Sequence, residues 1–193
     1  MKFRLKLSLM MTIAVGITSL PALGQTLGVK ANALSLSHAA LGVGAEMELG
    51  YRWSAELYGA VSLWKRSDDK VRKYWAVQPE LRYWPCQAMA GHFVGVHLNA
   101  AQYNVGGVEL MPGMLKTVKD HRYEGWLAGA GVTYGYQWVV ARHWNVELSA
   151  SAGYEYLHYR KYASPGRCAP QSGERGHGYW GPTKLSASLI YIF

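Results

Sequence analysis

The sequence predicts an all-β protein: a closed eight-stranded antiparallel up-and-down transmembrane β-barrel with short periplasmic turns and longer extracellular loops. Three observations predict it. Apolar residues alternate with small or acidic ones over long stretches, which is the period of a strand with two unlike faces. The connections between these stretches are alternately short and long, and tyrosines and tryptophans gather at the stretch ends on the apolar face. Two aromatic girdles around an aliphatic band are typical of a barrel in a bilayer.

The chain begins with the layout of a cleaved export signal. Cations fall at the very start, a mostly apolar run extends from Leu7 to Ile17, and small residues end at Gly24. The run is shorter than the about 20 residues that a membrane-spanning helix needs. We therefore predict a signal peptide at residues 1–24 and a single domain at residues 25–193.

Four strands are predicted in the first half of the domain. Gly28–Leu34 is the weakest, because its pattern does not fix the register. Leu41–Tyr51 places leucine, valine, alanine and methionine on odd positions opposite glycine and glutamate, and Trp53–Leu63 follows after one residue with a similar alternation. These two strands are expected to form a hairpin. Tyr74–Trp84 alternates regularly except at Pro79.

Pro79 is a local problem for a closed sheet. It shares the apolar parity of its strand, but proline has no N–H to give to the ladder, and a barrel offers no free edge at which to place it. We therefore expect a bulge or a local bend at this residue.

Four more strands are predicted in the second half. His92–Gln102 is a weaker one, with valine, leucine and alanine on one face. Trp126–Trp138 and Trp144–Tyr156 alternate aromatic or aliphatic residues with glycine, serine and a few polar residues, and Lys184–Phe193 continues the pattern to the C-terminus. The total is eight strands, an even number, as bacterial outer-membrane barrels have.

The connections alternate in length, as they do in an outer-membrane barrel whose short turns face the periplasm. The short ones lie at Arg52, Pro85–Gly91 and Val139–His143. The long ones lie at Lys65–Arg72, Tyr103–His121 and Arg160–Gly181, and only the first connection on that side, Ser35–Ala40, is brief.

The two cysteines are expected at opposite rims of this layout. Cys86 falls in a short turn and Cys168 in a long loop, which places them beyond the ~7 Å reach of a disulfide. Two cysteines are compatible with an oxidising compartment but define no disulfide framework.

The composition of the second face distinguishes a membrane barrel from a soluble carrier of the lipocalin type. A soluble barrel would line its cavity with the apolar face and would need a well-solvated exterior. Here the second face consists mainly of glycine, alanine and serine with a few charges. This composition suits a cramped interior better than a water-facing exterior.

The charges on the second face are predicted to form a network inside the barrel. They are Glu46, Glu48, Glu56, Glu80, Arg82, Glu147, Glu155 and Lys184, with Lys30 as a further candidate. An eight-stranded lumen is filled by side chains, and unpaired charges there are costly, so salt bridges are expected. A narrow ion or proton path is the alternative. Acids outnumber bases, so some glutamates should be protonated or should face water near a rim.

The loops on the long side are rich in cations that are expected to contact the phosphates of lipopolysaccharide. They are Lys65, Arg66, Lys70, Arg72, Lys116, Lys119, Arg160 and Lys161. A surface-appendage component or another envelope protein is an alternative partner for this rim, whereas nucleic acid is not expected to meet such a surface. Glu124 falls on the apolar parity, and we expect it just above the lipid band.

Motifs for catalysis and metal binding are weak. A triad needs a base within hydrogen-bond reach of a serine, yet Ser37 and His38 would point to opposite faces of an extended strand. His158, at the outer end of an apolar face, is the best remaining base. The histidines are scattered and predict no metal site. We expect no catalytic residue and no cofactor.

Five segments carry a family resemblance. They read WAVQPELRYWPC, GHFVGVH, QYNVGG, YEGWLAGAGVTYGYQW and GPTKLSASLIYIF. In these segments the chain resembles a family of small Gram-negative outer-membrane β-barrels catalogued as a domain of unknown function, and its architecture is similar to the barrels of outer-membrane proteins A and X. The resemblance implies fold and location more than activity. The C-terminal ending also resembles the aromatic signal that the barrel insertion machinery reads, for which Tyr191 and Phe193 are the expected contacts.

The expected function is that of a non-enzymatic outer-membrane barrel, which serves as a membrane-anchored loop platform or as an assembly partner of envelope or surface structures. The first alternative is a small-barrel enzyme that modifies lipid A as an acyl hydrolase or transferase. The second alternative is a soluble lipocalin-like carrier.

Overall fold

The computed structural model describes residues 26–37, 40–67, 70–106, 122–162 and 171–193. These residues form eight antiparallel strands in a single sheet, in which each strand pairs with the next along the chain and the last pairs with the first to close a ring. The strands are β1 (Leu27–Asn32), β2 (Leu41–Gly50), β3 (Trp53–Ser67), β4 (Lys70–Tyr83), β5 (Gly91–Gly106), β6 (Arg122–Ala141), β7 (Trp144–Tyr162) and β8 (Gln171–Ile192). The predicted all-β, eight-stranded, up-and-down arrangement is therefore confirmed. The predicted signal segment, residues 1–24, lies outside the described residues.

Several strands are longer than the sequence pattern predicted. β8 begins at Gln171 and not at Lys184, and its additional residues pair with β7 as far as Tyr162↔Gln171. Much of the loop predicted at 160–181 is therefore strand, and parts of the loops predicted at 65–72 and 103–121 are strand as well. The start of β8 is rich in glycine and lacks the alternation of a strand. Its extended conformation is therefore stabilised by pairing with β7 and could not be predicted from its own residues.

The strands of the ring differ in length, and β1 and β2 end before the other six do. β1 pairs with β8 from Gly28↔Ile192 to Asn32↔Ser188, and β2 pairs with β3 no further than Leu41. Beyond that level β3–β8 continue as a curved sheet. We call the end at which only β3–β8 continue the long-loop end. The opposite end, which carries the turns after β2, β4 and β6, is the short-turn end.

A short helix, α1 (Ala33–Ser37), follows β1 where the ring becomes lower. The predicted strand Gly28–Leu34 therefore stops early, at Asn32. The side chain of Asn32 explains the change, because its Oδ1 accepts a hydrogen bond from Leu34 N at 3.0 Å and caps the helix. The same oxygen accepts from Ala187 N of β8 at 3.3 Å. No helix in the described part of the chain is long and apolar enough to cross a membrane.

Of the bulge or local bend predicted at Pro79, the bulge is absent. On the β3 side the ladder runs through Leu57↔Pro79 without a register shift. On the β5 side the register is unchanged across the proline, but the pairs of Gln78 and Pro79 are missing. The strand thus accommodates the missing N–H by losing two pairs with one neighbour. A register shift occurs instead beside Pro182 of β8.

The two faces of the ring are opposite in character. Inward side chains are mostly buried and polar, and outward side chains are mostly exposed and apolar. The buried polar residues include Lys30, Asn32, Glu46, Ser54, Glu56, Gln78, Glu80, Arg82, His97, Thr133, Gln137, Asn145, Glu147, Ser149, Ser151, Ser186 and Ser188. The exposed aliphatic residues include Leu41, Val43, Leu57, Val61, Val94, Val96, Leu98, Val132, Leu148, Leu185 and Leu189.

The short-turn end is closed by an apolar plug. The segment between β4 and β5 folds under the interior, so that Trp84, Met89 and Phe93 are buried. The rings of Trp84 and Phe93 lie 4.7 Å apart, and Asn145 Nδ2 donates to Met89 O at 3.2 Å. Gly91 completes the turn with a φ of 85°, a conformation that favours glycine.

Cys86 lies in this same segment and is exposed and free. Its predicted position in a short turn is confirmed. Cys168 lies outside the described residues.

Candidate functional site

Three carboxylates lie side by side in the middle of the interior. The pairs Glu46↔Glu56 and Glu56↔Glu80 place one glutamate on each of β2, β3 and β4 at the same level. All three are buried, and directly opposed like charges destabilise a sheet. This row of acids therefore needs cations from the levels next to it.

Lys30 of β1 supplies the first cation. Its Nζ donates to Glu46 Oε2 at 2.7 Å, to Glu56 Oε2 at 2.7 Å and to Glu147 Oε2 at 2.8 Å. An ammonium group has three donors, so these bonds use all of them. Gly44, opposite Lys30 on β2, keeps the space open, because a Cβ there would lie 2.8 Å from Lys30 Cγ.

Arg82 of β4 supplies the second cation. Its Nε donates to Glu80 Oε1 at 2.8 Å, and its Nη1 donates to Glu46 Oε2 at 3.1 Å and to Glu147 Oε2 at 2.8 Å. The guanidinium carbon lies 4.3 Å from the centroid of the Phe93 ring. Arg82 thus connects the carboxylates in the middle of the interior to the apolar plug at the short-turn end.

Lys184 of β8 is the third cation, at a longer distance. Its Nζ lies 3.8 Å from oxygens of both Glu56 and Glu80 and 4.6 Å from the centroid of the Tyr58 ring. We use the name charge network for Lys30, Glu46, Glu56, Glu80, Arg82, Glu147 and Lys184. Because four carboxylates face three cations here, removing any cation would leave buried charge without compensation.

Two of the predicted interior charges lie apart from the charge network. Glu155 is half-buried toward the long-loop end and accepts a hydrogen bond from Asn99 Nδ2 at 2.6 Å. Glu48 is half-buried near the short-turn end. The alternation of each strand predicted that both side chains face the interior. Their level along the axis of the ring depends on the stagger between strands, which cannot be deduced from the sequence of one strand.

The oxygens of Glu46, Glu56 and Glu147 lie within 4.8 Å of one another, near enough to hold a metal ion. Lys30 Nζ already lies among them at hydrogen-bond distance. The ammonium therefore occupies the position that a metal would take, and a metal would have to displace a buried cation.

A polar shell around the charge network was not predicted. Thr133 Oγ1 donates to Glu80 Oε2 at 3.0 Å and lies 2.9 Å from Ser151 Oγ. His97 Nδ1 lies 3.1 Å from the same hydroxyl. These residues contain the atom types of a catalytic cluster, but all are buried, and the hydroxyl of Thr133 donates its hydrogen bond to Glu80. The alternation of β5 could have indicated His97, which has the parity opposite to its aliphatic residues.

The interior at the long-loop end is aromatic. The rings of Tyr123 and Tyr159 meet edge to face at 5.5 Å, and Tyr103 is half-buried beside them. Burial, together with the neighbouring Tyr159, raises the pKa of Tyr103 to about 12. Burial also raises the pKa of Tyr123. Both phenols therefore keep their proton to a higher pH than a solvent-exposed tyrosine does.

Two rows of residues cross the outer surface near the long-loop end. The lower row, opposed pair by pair across β4, β5, β6 and β7, is Trp75, Gln102, Trp126 and His158. The upper row, two residues closer to the long-loop end on each strand, is Lys73, Asn104, Glu124 and Arg160. We call the cavity that they line the rim groove, and its volume is about 520 Å³.

The tryptophans form the sides of the rim groove. Trp75 Nε1 donates to Gln102 Oε1 at 3.1 Å, and the rings of Trp126 and His158 lie 5.8 Å apart. The next outward row toward the short-turn end has the small residues Val77, Ala100 and Ala128 on β4–β6 and Tyr156 on β7. The rim groove therefore marks the level at which the outer surface changes from apolar to charged.

The predicted rim residues are placed as follows. Arg160 and Glu124 are exposed and line the rim groove. Lys65, Arg66, Lys70, Arg72 and Lys161 lie in β3, β4 and β7 toward the long-loop end, but their side chains fall outside the described part of the structure. Lys116 and Lys119 fall outside it altogether.

The residues considered for catalysis are placed as follows. His158 lines the rim groove, and Ser37 ends α1. His38 lies outside the described residues. Among the described residues that line the rim groove there is no serine, threonine or cysteine.

The C-terminal aromatics lie on the outward face at the short-turn end. The rings of Tyr191 and Phe193 meet edge to face at 5.0 Å, and Trp144 lies 5.1 Å from Tyr191. Phe193 N donates to Leu27 O at 2.9 Å, which fixes the last residue against β1.

Residues 7–193 match the model of a protein family described as "Protein of unknown function (DUF3575)". None of the curated proteins matches the chain. The family description states neither an activity nor a cellular location. Because the match covers nearly the whole sequence, the chain belongs to DUF3575, a family of proteins of unknown function.

Proposed function

We propose that the protein is a non-enzymatic β-barrel of the bacterial outer membrane, which serves as an anchored loop platform or as an assembly partner of other envelope structures. One observation carries the proposal: the sheet closes with its apolar side chains outward and its charges inward. A soluble monomer rarely exposes an apolar patch larger than a few hundred Å², whereas a barrel in a bilayer requires a continuous apolar belt.

The dimensions of the apolar belt support a membrane position. On β6 the outward series is bounded by Trp126 and Trp138, which are about 40 Å apart along a strand that rises ~3.3 Å per residue. At a tilt of ~45° this is about 28 Å along the axis, close to the thickness of a bilayer core. Tryptophan rings favour the headgroup level, so the two residues mark both boundaries.

The interior argues against a soluble carrier. A carrier of the lipocalin type needs an apolar cavity, but the middle of this ring is filled by the charge network, and the short-turn end is filled by Trp84, Met89 and Phe93. The arrangement of faces is the reverse of that in a soluble barrel. An exterior that faces lipid would explain both the charged interior and the exposed apolar side chains.

The extended strands support a platform. β7 continues beyond His158 to Tyr162, and β8 begins at Gln171, well before Trp180. A spanning strand needs only about 9–11 residues, so the additional length would hold the connecting loops above the membrane. Export through a signal peptide at residues 1–24 and assembly by the barrel insertion machinery belong to the same proposal.

Replacing Leu98 with arginine tests the membrane belt. Leu98 is 62% exposed in the middle of the outward series of β5, so in a bilayer the arginine should lower the free energy of unfolding by about 2–4 kcal/mol. In water the same change at an exposed site should stay within about 0.5 kcal/mol. Urea titration of the chain folded into lipid vesicles measures the difference.

Val140→Arg is the matched control for that change. Val140 is 66% exposed but lies beyond Trp138 at the short-turn end, where an arginine costs only about 0–1 kcal/mol in a bilayer. Equal losses for the two variants would argue against a lipid belt centred near Leu98.

Deleting Phe193 tests the proposed insertion signal. The aromatic ring would be lost while the charge network is kept, so the amount of folded protein in outer-membrane fractions should fall severalfold in cells. Phe193→Trp keeps an aromatic end and should restore the amount. Unchanged assembly of the deletion variant would refute the role of Phe193.

Cell fractionation tests the location directly. The protein should appear in outer-membrane fractions and should migrate differently on a gel with and without heating, as folded barrels do. A chain that is freely soluble in the periplasm would refute the proposal.

Mass spectrometry of lipid A separates the platform from the alternative enzyme. Lipid A from cells with and without the protein should carry the same acyl chains if the protein is a platform. A change in acylation would replace the platform by a lipid-modifying enzyme.

A further inference from the structure

We propose that the rim groove binds the phosphorylated sugar headgroup of lipopolysaccharide at one defined position on the outward surface of β4–β7. This inference rests on the proposed outer-membrane location and goes beyond it, because a loop platform needs no individual lipid site. Three features of the rim groove carry it: its aromatic sides, its two separated cations and the apolar surface directly below it.

The lower row has the form of a sugar site. Trp75 and Trp126 are separated by one strand, so their side chains project about 10 Å apart, which leaves room for a saccharide ring against an aromatic face. Gln102 lies between them, and its bond from Trp75 Nε1 orients the amide. The volume of about 520 Å³ falls within the range of about 300–1,000 Å³ that is usual for small-molecule sites.

The upper row places a cation at each end of the rim groove. Lys73 and Arg160 are both exposed, and β5 and β6 lie between their strands, which puts them about 14 Å apart. Lysine and arginine are the side chains that bind phosphate groups. Two cations at this separation match a disaccharide with a phosphate at each end better than a single phosphate. Asn104 lies between them, and so does Glu124, which is directly opposite Arg160.

The apolar surface below the rim groove identifies the ligand as a lipid. Val77, Ala100 and Ala128 form the next outward row on β4–β6, with Tyr156 at its β7 end, and the three small side chains leave a shallow track for acyl chains. A soluble sugar phosphate could use the same cations but would gain nothing from that track. Tryptophan rings favour the headgroup level, which puts the rim groove at the height of lipopolysaccharide headgroups.

Binding of lipid A to the full-length protein in phosphatidylethanolamine nanodiscs tests the site. The double variant Lys73→Gln with Arg160→Gln should bind on the order of 100-fold more weakly, because each charge-assisted contact contributes roughly tenfold. Trp126→Ala should weaken binding about tenfold. Arg175→Gln and Arg142→Gln remove exposed arginines outside the rim groove and should leave the dissociation constant unchanged. Dephosphorylated lipid A should bind the wild type as weakly as lipid A binds the double variant.

Each other outcome overturns a defined part of the inference. Equal affinity of the wild type and the double variant would refute the site, and the outer-membrane location would still stand if the protein fractionates there. A phosphorylated disaccharide without acyl chains that binds as tightly as lipid A would refute the assignment to a lipid. A chain that is soluble in the periplasm would refute both the site and the proposed function.

Discussion

Replacing Arg82 with methionine is expected to lower the free energy of unfolding by about 3–5 kcal/mol, a large part of the about 5–15 kcal/mol that stabilises a typical domain. The guanidinium is fully buried and contacts all four carboxylates of the charge network, Glu56 included, which lie on four different strands. Its removal leaves four glutamates opposite only Lys30 and Lys184, at a depth where water cannot replace it. Urea titration of the folded chain in detergent micelles measures the loss.

Two further variants decide whether charge causes this loss. Arg142→Met removes an exposed arginine from the turn between β6 and β7 and should change stability by no more than about 0.5 kcal/mol. Adding Glu80→Gln to Arg82→Met removes one excess carboxylate and should restore part of the lost stability. If Arg82→Met costs no more than Arg142→Met, or if Glu80→Gln deepens the loss, the charge network does not hold the interior together.

The facing of side chains could be predicted from the sequence because it depends only on local alternation. A strand has a period of two, so the inward position of Glu56 or Arg82 follows from its neighbours. From the sequence Lys30 is only a further candidate, because the pattern of its strand does not fix the register. In the described part of the structure, however, it pairs with three carboxylates, a number that only Arg82 exceeds. Its importance comes from its height in the ring, which depends on the strands on either side.

Three of the features that were missed depend on partners outside their own strand. The glycine-rich start of β8 is strand only because β7 lies beside it. Pro79 needs no bulge, because β5 can lose two pairs without a change of register. The rim groove combines residues from four strands, and neither Gln102 nor Asn104 stands out in its own segment. The alternation of a strand predicts which side chains face the interior, whereas the stagger between strands determines which of them come into contact.

Replacing Trp84 with alanine is expected to lower the free energy of unfolding by about 3–5 kcal/mol, the usual cost of removing a large buried aromatic side chain. Trp84 is fully buried, its ring packs on Phe93, and its Nε1 donates to Ser54 Oγ at 2.8 Å. Ser54 in turn donates to Glu46 Oε1 at 2.6 Å. The same side chain therefore closes the short-turn end and supports the charge network.

Trp84→Phe separates these two roles, because phenylalanine keeps most of the ring volume but cannot donate to Ser54. It should cost about 1 kcal/mol, the net contribution of one hydrogen bond. Trp138→Ala removes a tryptophan of the same end that is 44% exposed on the outward face, and it should cost less than Trp84→Ala in a urea titration. Equal losses for Trp84→Ala and Trp138→Ala would mean that the plug adds nothing beyond the aromatic girdle. A loss for Trp84→Phe as large as that for Trp84→Ala would mean that the bond to Ser54, and through it the charge network, is the part of the plug that matters.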